Sequence, residues 1–103
     1  MAVKVLIKRQ FKPEHMDQAT KILVRTRYAA MQMEGYIASE TWRGLHDPNQ
    51  ITVVSMWQTP EAWNRWYTSE ERKTSIMEME PIMTDNERIE PYALGIQAIA
   101  GSY

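Results

Sequence analysis

Aromatic side chains in the second half of the chain form the most specific chemical pattern in this sequence. Trp63, Trp66 and Tyr67 are spaced i, i+3 and i+4, so a helix would place Trp63 on the same face as the other two. A stripe of this kind either packs into a core or forms the wall of an apolar pocket, in which a few polar groups orient a ligand. Under the second hypothesis, Trp66 is the main contact for a small aromatic substrate.

A carboxylate between aromatic residues is the second candidate for chemistry. Glu40 lies in an alternating segment, and Tyr36 and Trp42 share its strand face. Burial would raise the pKa of this carboxyl group, which suits a general base that accepts a proton from a phenol or an enol. Arg43 would handle the resulting anion. The alternative is structural, because Glu40 can instead pair with Arg9, Arg43 or a lysine of a neighbouring strand.

Other common kinds of active site find no support in the sequence. The chain has no cysteine, which excludes disulfides, thiolate nucleophiles and iron–sulfur clusters. His15 and His46 stand apart and have no ligand-spaced neighbours, and no glycine-rich phosphate loop or nucleotide fingerprint is present. We therefore predict neither a metal nor a cofactor. The predicted catalytic residues are Glu40 and Arg43, and the predicted substrate-binding residues are aromatic: Trp66, Trp57, Trp63, Tyr36 and Trp42.

Length and composition restrict the class of protein. The chain has 103 residues and a mass of 12.1 kDa, with 44% hydrophobic and 24% charged residues, which predicts one globular domain with a core at about 2–97 and a tail at 98–103. A formal charge of −1 lacks the positive potential of a nucleic-acid binder. No apolar run approaches the ~20 residues of a membrane span, and charges interrupt the first apolar stretch. We expect a cytoplasmic protein with no nucleic-acid or membrane partner.

The periodicity of the sequence predicts an α+β fold. Alternation of apolar and polar residues predicts four strands, at 2–11, 36–45, 51–58 and 88–97. Helical spacing and helix-start signals predict helices at about 14–32 and 61–67, and a third that begins in a capping box at 68–71 and ends at about Met79. Gly35 ends the first helix. The order β-α-β-β-α-β is the ferredoxin-like pattern, with an antiparallel sheet.

One side of this sheet has no predicted cover. The two helices share one side, yet parts of the strands are apolar on both sides, as in Val5-Leu6-Ile7 and Val53-Val54. Leaving large apolar side chains in water forfeits about 1.5–3 kcal/mol each. A homodimer that packs sheet against sheet would cover them, and two-fold pairing is the commonest form of assembly. The alternative is a monomer with a mixed outer face.

The segment VVSMWQTPEAWNRWYTSE, residues 53–70, resembles the antibiotic biosynthesis monooxygenase superfamily. The shared features are an apolar strand that ends in Trp, a short helix with acidic and aromatic residues, a polar break and another helix. Element order and chain length agree over roughly residues 2–95. The resemblance implies a dimeric α+β barrel and cofactor-free oxygenation of quinols or polycyclic phenols, with haem degradation in one branch. That branch uses an Asn, a Trp and a His; Trp66 matches the Trp, but Leu6 and Ile76 occupy the other two positions.

Two main hypotheses for function follow. The first is a cofactor-independent monooxygenase that acts on a small aromatic or quinol-type substrate. The second is a non-catalytic, dimeric small-ligand-binding module of the same fold, since one fold hosts many functions. Haem binding or degradation is a third, disfavoured by the missing His and Asn.

Overall fold

The computed structural model describes residues 1–95. Its elements are β1 (Val3–Gln10), α1 (Met16–Met31), β2 (Tyr36–Arg43), β3 (Gln50–Trp57), α2 (Pro60–Tyr67), α3 (Glu70–Met79) and β4 (Arg88–Ala93), with single 3-10 turns at Pro13–His15 and Glu80–Ile82. The strands form one antiparallel sheet in the order β2-β3-β1-β4. This arrangement confirms the predicted ferredoxin-like α+β fold. Strand β4 ends at Ala93, and the predicted end of that strand at 96–97 and the predicted tail at 98–103 lie outside the described residues.

Helix starts are close to their predicted positions. Thr59 caps α2, and its hydroxyl oxygen accepts the backbone N–H of Ala62 at 3.1 Å. The third helix begins one residue later than the capping box predicted, because Ser69 rather than Thr68 is the cap and accepts the N–H of Arg72. None of the helices in the described part of the chain is long and apolar enough to cross a membrane.

Gly35 sets the distance between α2 and the start of β2. Its φ of 88° lies in the left-handed region, and a Cβ atom here would come within 2.4 Å of the Cβ of Ala62. The carbonyl of Gly35 also accepts the N–H of Gln58 at 2.8 Å. Helix α1 ends at Met31 with Gln32 as its C-cap, so Gly35 does not end the helix as predicted. It instead allows α2 to pack closely on the sheet.

Alternate residues of each strand face the helices, here called the helix side, and the other residues face away, here called the open side. On β1 the predicted alternation is confirmed: Val3, Val5 and Ile7 are buried on the helix side. A register shift in β2 between Tyr36 and Ala38 makes the predicted shared face of Tyr36, Glu40 and Trp42 wrong. Tyr36 pairs with the buried Trp57 and faces the helices.

Two groups of buried residues fill the helix side. The tryptophan cluster contains Val3, Val5, Ile7, Ala30, Trp57, Ala62 and Trp66. The methionine cluster contains Phe11, Ala19, Ile22, Ile51, Met79, Ile82 and Met83. Four further buried residues are polar: Arg9, Ser55, Arg72 and Ser75. The core is therefore interrupted by polar groups, and these groups mark the candidate site.

Candidate functional site

A cavity of about 40 Å³ lies between the helix side of the sheet and the helices. All three helices and strands β1, β2 and β3 contribute to its wall. Apolar wall residues include Ile7, Val53 and Ala30, and polar ones include Arg9 and Arg72. The cavity therefore combines an apolar lining with a few buried polar groups, which is the usual composition of a ligand site.

Aromatic rings form one wall of this cavity. Trp66 is stacked on Trp57 with 6.4 Å between ring centroids, and Tyr36 meets Trp57 edge-on at 5.6 Å. Trp66 and Tyr36 line the cavity, whereas Trp57 and Trp63 pack against this wall without being among the lining residues. Trp66 thus belongs to the core and to the cavity wall at once. The helical spacing that singled it out is consistent with both interpretations.

The hydroxyl groups around the cavity form hydrogen bonds with neighbouring side chains. The Tyr36 hydroxyl lies 2.6 Å from the hydroxyl of Ser39. The hydroxyl of Ser55 accepts the indole N–H of Trp57 at 3.0 Å, which fixes the ring that supports the aromatic wall. These bonds hold the rings in place without placing a formal charge beside them.

Two buried arginines share one carboxylate next to the cavity. Nε and Nη2 of Arg9 lie 3.1 Å and 3.0 Å from Oε1 of Glu87, and Nη2 of Arg72 donates to Oε2. Burial lowers the pKa of the Arg9 guanidinium from its ordinary value, and the adjacent Glu87 opposes that shift. The Arg72 guanidinium also lies over the ring of Tyr67, 4.8 Å from its centroid. With all three groups ionised, the network carries one surplus positive charge.

No sequence motif indicated this network directly, although one signal was available. Arg9 occupies the apolar phase of β1, the same phase as Val5 and Ile7, so its side chain had to be buried. A buried charge requires a partner. Glu87 directly precedes β4, so its position near Arg9 depends on how this segment packs beside β1. No local sequence signature identifies Glu87 as the partner.

Two of the predicted site residues lie on the open side. The indole N–H of Trp42 donates to Oε1 of Glu40 at 2.9 Å, and Trp42 is half exposed. None of the ion pairs predicted for Glu40 occurs among the described residues. The sheet thus separates Glu40 and Trp42 from the cavity, and their roles stay predictions.

Arg43 lies on the helix side but outside the cavity. It lines an apolar groove of about 230 Å³ between α1 and the edge of the sheet, together with Met16 and Val24. Its Nε donates to the carbonyl of Pro48 at 2.7 Å. Three further residues line both the groove and the cavity, so the two spaces adjoin there: Leu23, Arg27 and Thr41.

Comparison with known proteins places the chain in a family. The family model for antibiotic biosynthesis monooxygenase matches residues 2–76. A conserved protein from Methanosarcina mazei Go1 has 20% identity and a TM-score of 0.84, with 89% of this chain and 91% of that chain covered.

Two further solved structures share the fold. A putative antibiotic biosynthesis monooxygenase from Nitrosomonas europaea has 9% identity and a TM-score of 0.85, covering 92% of this chain and 90% of its own. A variant of SnoaB, a cofactor-independent oxygenase from Streptomyces nogalater, has 10% identity and a TM-score of 0.78, covering 89% and 91%. No curated protein matches the sequence. The match over residues 2–76 makes this chain a member of the antibiotic biosynthesis monooxygenase family.

Proposed function

We propose that the protein is a cofactor-independent monooxygenase that acts on a small aromatic or quinol-type substrate. The observation that carries this proposal is the cavity on the helix side, where Trp66 and Tyr36 form an aromatic wall beside buried polar groups. Membership of the family and the fold shared with SnoaB, a cofactor-independent oxygenase, support it. We further propose the cytoplasm as the site of action.

The chemistry requires little of the protein beyond binding and electrostatics. Triplet oxygen reacts slowly with closed-shell molecules, but an electron-rich phenolate can give it one electron, after which the two radicals combine into a peroxide. One oxygen atom then stays on the ring carbon as a carbonyl group, and the other leaves as water with two hydrogen atoms from the substrate. The protein must hold the ring, favour the anion and exclude bulk water. The rings of Trp66 and Tyr36 are placed to contact the oxygen-bearing edge of that ring.

Oxygen uptake by the purified protein with a panel of quinols and hydroxyanthracenes tests this proposal. We expect uptake above the protein-free blank, and a loss of about tenfold or more in Trp66→Ala, since catalysis depends on how well the substrate is positioned. Tyr28→Ala is the matched control, because Tyr28 is an exposed aromatic residue on α1. Glu40→Gln separates two hypotheses: a loss of activity assigns the general base to Glu40, and normal activity assigns proton transfer elsewhere.

Uptake equal to the blank for every substrate would contradict the proposal. A change in tryptophan fluorescence on ligand addition without uptake would favour the non-catalytic ligand-binding module. A Soret band on titration with haemin would favour haem binding, although neither His15 nor His46 lines the cavity.

We also propose that the protein is a homodimer joined through the open side. Several of the large side chains there are strongly exposed in the single chain, with Trp42 at 50% and Tyr92 at 52%. They flank Leu6 and Met56, which lie in the centre of the sheet. Covering such a patch with a second copy removes apolar surface from water on both protomers at once. Sedimentation equilibrium at micromolar protein tests this, and a stable particle of monomer mass would contradict it.

A further inference from the structure

We propose that the buried network of Arg9, Glu87 and Arg72 is an oxyanion-binding site, and that the substrate is an aromatic molecule with a phenolate or carboxylate group held by Arg72. This inference rests on the proposed function, because it names the chemical class of ligand for the same cavity. It adds a specific residue and a charge requirement that the aromatic wall alone does not imply.

The buried network carries one positive charge that the described carboxylates beside it do not balance. Arg9 and Arg72 are each at most 5% exposed, and Glu87 supplies the carboxylate that both contact. Within residues 1–95 no second carboxylate comes within 4.0 Å of either guanidinium. Buried charges are normally paired. A monoanion in the cavity would neutralise the surplus positive charge.

One buried hydrogen-bond donor of this network lacks a partner among the described residues. Nε of Arg72 is buried and has no acceptor within residues 1–95, although Nη2 of the same side chain donates to Glu87. Buried donors in native proteins nearly always have a partner. Arg72 lines the cavity, so an oxygen atom placed there would be the missing acceptor. Because the donor belongs to a guanidinium, an anionic oxygen would form a stronger bond than a neutral one.

The volume of the cavity limits which part of a ligand it can hold. A cavity of about 40 Å³ has room for a group the size of a few water molecules, at roughly 10–15 Å³ for each. A carboxylate or a phenolate oxygen fits this space, whereas a whole ring does not. The apolar groove of about 230 Å³ adjoins the cavity at Leu23, Arg27 and Thr41. We place the ring of the ligand on the side of this groove and its oxyanion at Arg72.

Four nitroaromatic probes that do not react with oxygen test the inference by binding alone. 4-Nitrophenol and 4-nitrobenzoate carry the two kinds of oxyanion, and 4-nitroanisole and 4-nitrobenzamide are their neutral counterparts. Tryptophan fluorescence quenching gives the affinities. The visible absorbance of 4-nitrophenol also reports its ionised fraction, which should rise on binding. We expect each anion to bind at least about tenfold more tightly than its neutral counterpart, because one charge-assisted hydrogen bond contributes a difference of this size.

Two variants and a control locate the effect. In Arg72→Gln, the ratio of anion affinity to neutral-probe affinity should fall to about one, while the affinity for the neutral probes stays unchanged. Arg72→Lys, which keeps the charge but lacks Nε, should retain part of the preference. Arg65→Gln removes the same charge from an exposed position on α2 and should leave the preference intact. Circular dichroism confirms that each variant is folded.

Equal binding of charged and neutral probes by the wild-type protein would overturn the inference, and this result does not depend on whether Arg72→Gln folds. Loss of anion preference in Arg65→Gln as well would also overturn it, since general surface charge would then be the cause. Preference for only one of the two anions supports the inference and identifies the oxyanion. Anion preference without oxygen uptake from any substrate would leave this site standing and would contradict only the proposed monooxygenase activity.

Discussion

The two sides of the sheet are built from alternate residues of the same strands, but they differ in how deeply their charged groups are buried. On the helix side, Glu87 is mostly buried and joins two arginines that are almost fully buried. On the open side, Glu90 lies 3.2 Å from Lys8, and each side chain keeps about a third of its exposure, 34% and 30%. Water screens the second pair but not the first. Among residues 1–95 of the single chain, the buried ion pairs that can supply a fixed electrostatic field therefore lie on the helix side.

The largest expected difference between the two sides concerns their tryptophans. Trp57 has no exposed surface and contacts Tyr36, Trp63 and Trp66, so Trp57→Ala should lower the free energy of unfolding by about 3–5 kcal/mol. Trp42 is half exposed on the open side, and Trp42→Ala should change the free energy of unfolding by no more than about 0.5 kcal/mol in dilute solution. Urea unfolding at two protein concentrations measures both. Similar losses in the two variants would contradict the distinction between the sides.

Glu87 and Glu90 allow a second comparison. They are three positions apart, one just before β4 and the other within it. Glu87→Gln leaves two guanidinium groups buried together without a carboxylate, and we expect a loss of about 3–5 kcal/mol in the free energy of unfolding. Glu90→Gln removes a partly exposed pair and should reduce it by about 0–1 kcal/mol. Thermal unfolding in low and high salt measures both. A salt-sensitive loss in Glu87→Gln would show that the network is hydrated.

The sequence predicted the sides of β1 more reliably than those of β2, for a physical reason. Val3, Val5 and Ile7 alternate without interruption, so periodicity alone assigns them to the core. In β2 the bulge between Tyr36 and Ala38 reverses which residues face the helices. Gly35 directly precedes it, but a glycine at this position also fits a simple helix end and does not specify a bulge. Predicted alternation therefore fails where one extra residue enters a strand.

The candidate site was predictable only in part. Trp66 was found because helical spacing is a local property of the sequence. The partners of Glu87 lie 78 and 15 residues from it, so only the tertiary fold brings the network together. The apolar phase of Arg9 indicated a buried charge but not its partner. The resemblance to the family supplied the fold, whereas the charge arrangement beside the cavity required the structure.

The open side provides the third test, which concerns assembly. Leu6 lies opposite Val54 in the centre of this side, and Leu6→Glu would place a charge in the proposed interface. Lost burial should weaken the dimer by about 1.5–3 kcal/mol per protomer, and the protomer should stay folded because Leu6 is only partly covered in the single chain. Lys4→Gln, also on the open side but exposed, is the control. Sedimentation velocity gives the distribution of species; an unchanged dimer in Leu6→Glu would place the interface elsewhere.

The smallest expected effects concern the two residues that cap helices on the helix side, Thr59 for α2 and Ser69 for α3. The Ser69 hydroxyl accepts the N–H of Arg72 at 3.2 Å and donates to the carbonyl of Trp66 at 2.7 Å, so it links the aromatic wall to the arginine network. The Thr59 hydroxyl accepts only the N–H of Ala62. Ser69→Ala and Thr59→Ala should each lower the free energy of unfolding by about 1 kcal/mol, the usual value of an N-cap. Only Ser69→Ala should also weaken binding of 4-nitrobenzoate, because only that cap positions Arg72. Fluorescence titration of both variants decides this, and equal affinities would show that the first turn of α3 is held by packing rather than by its cap.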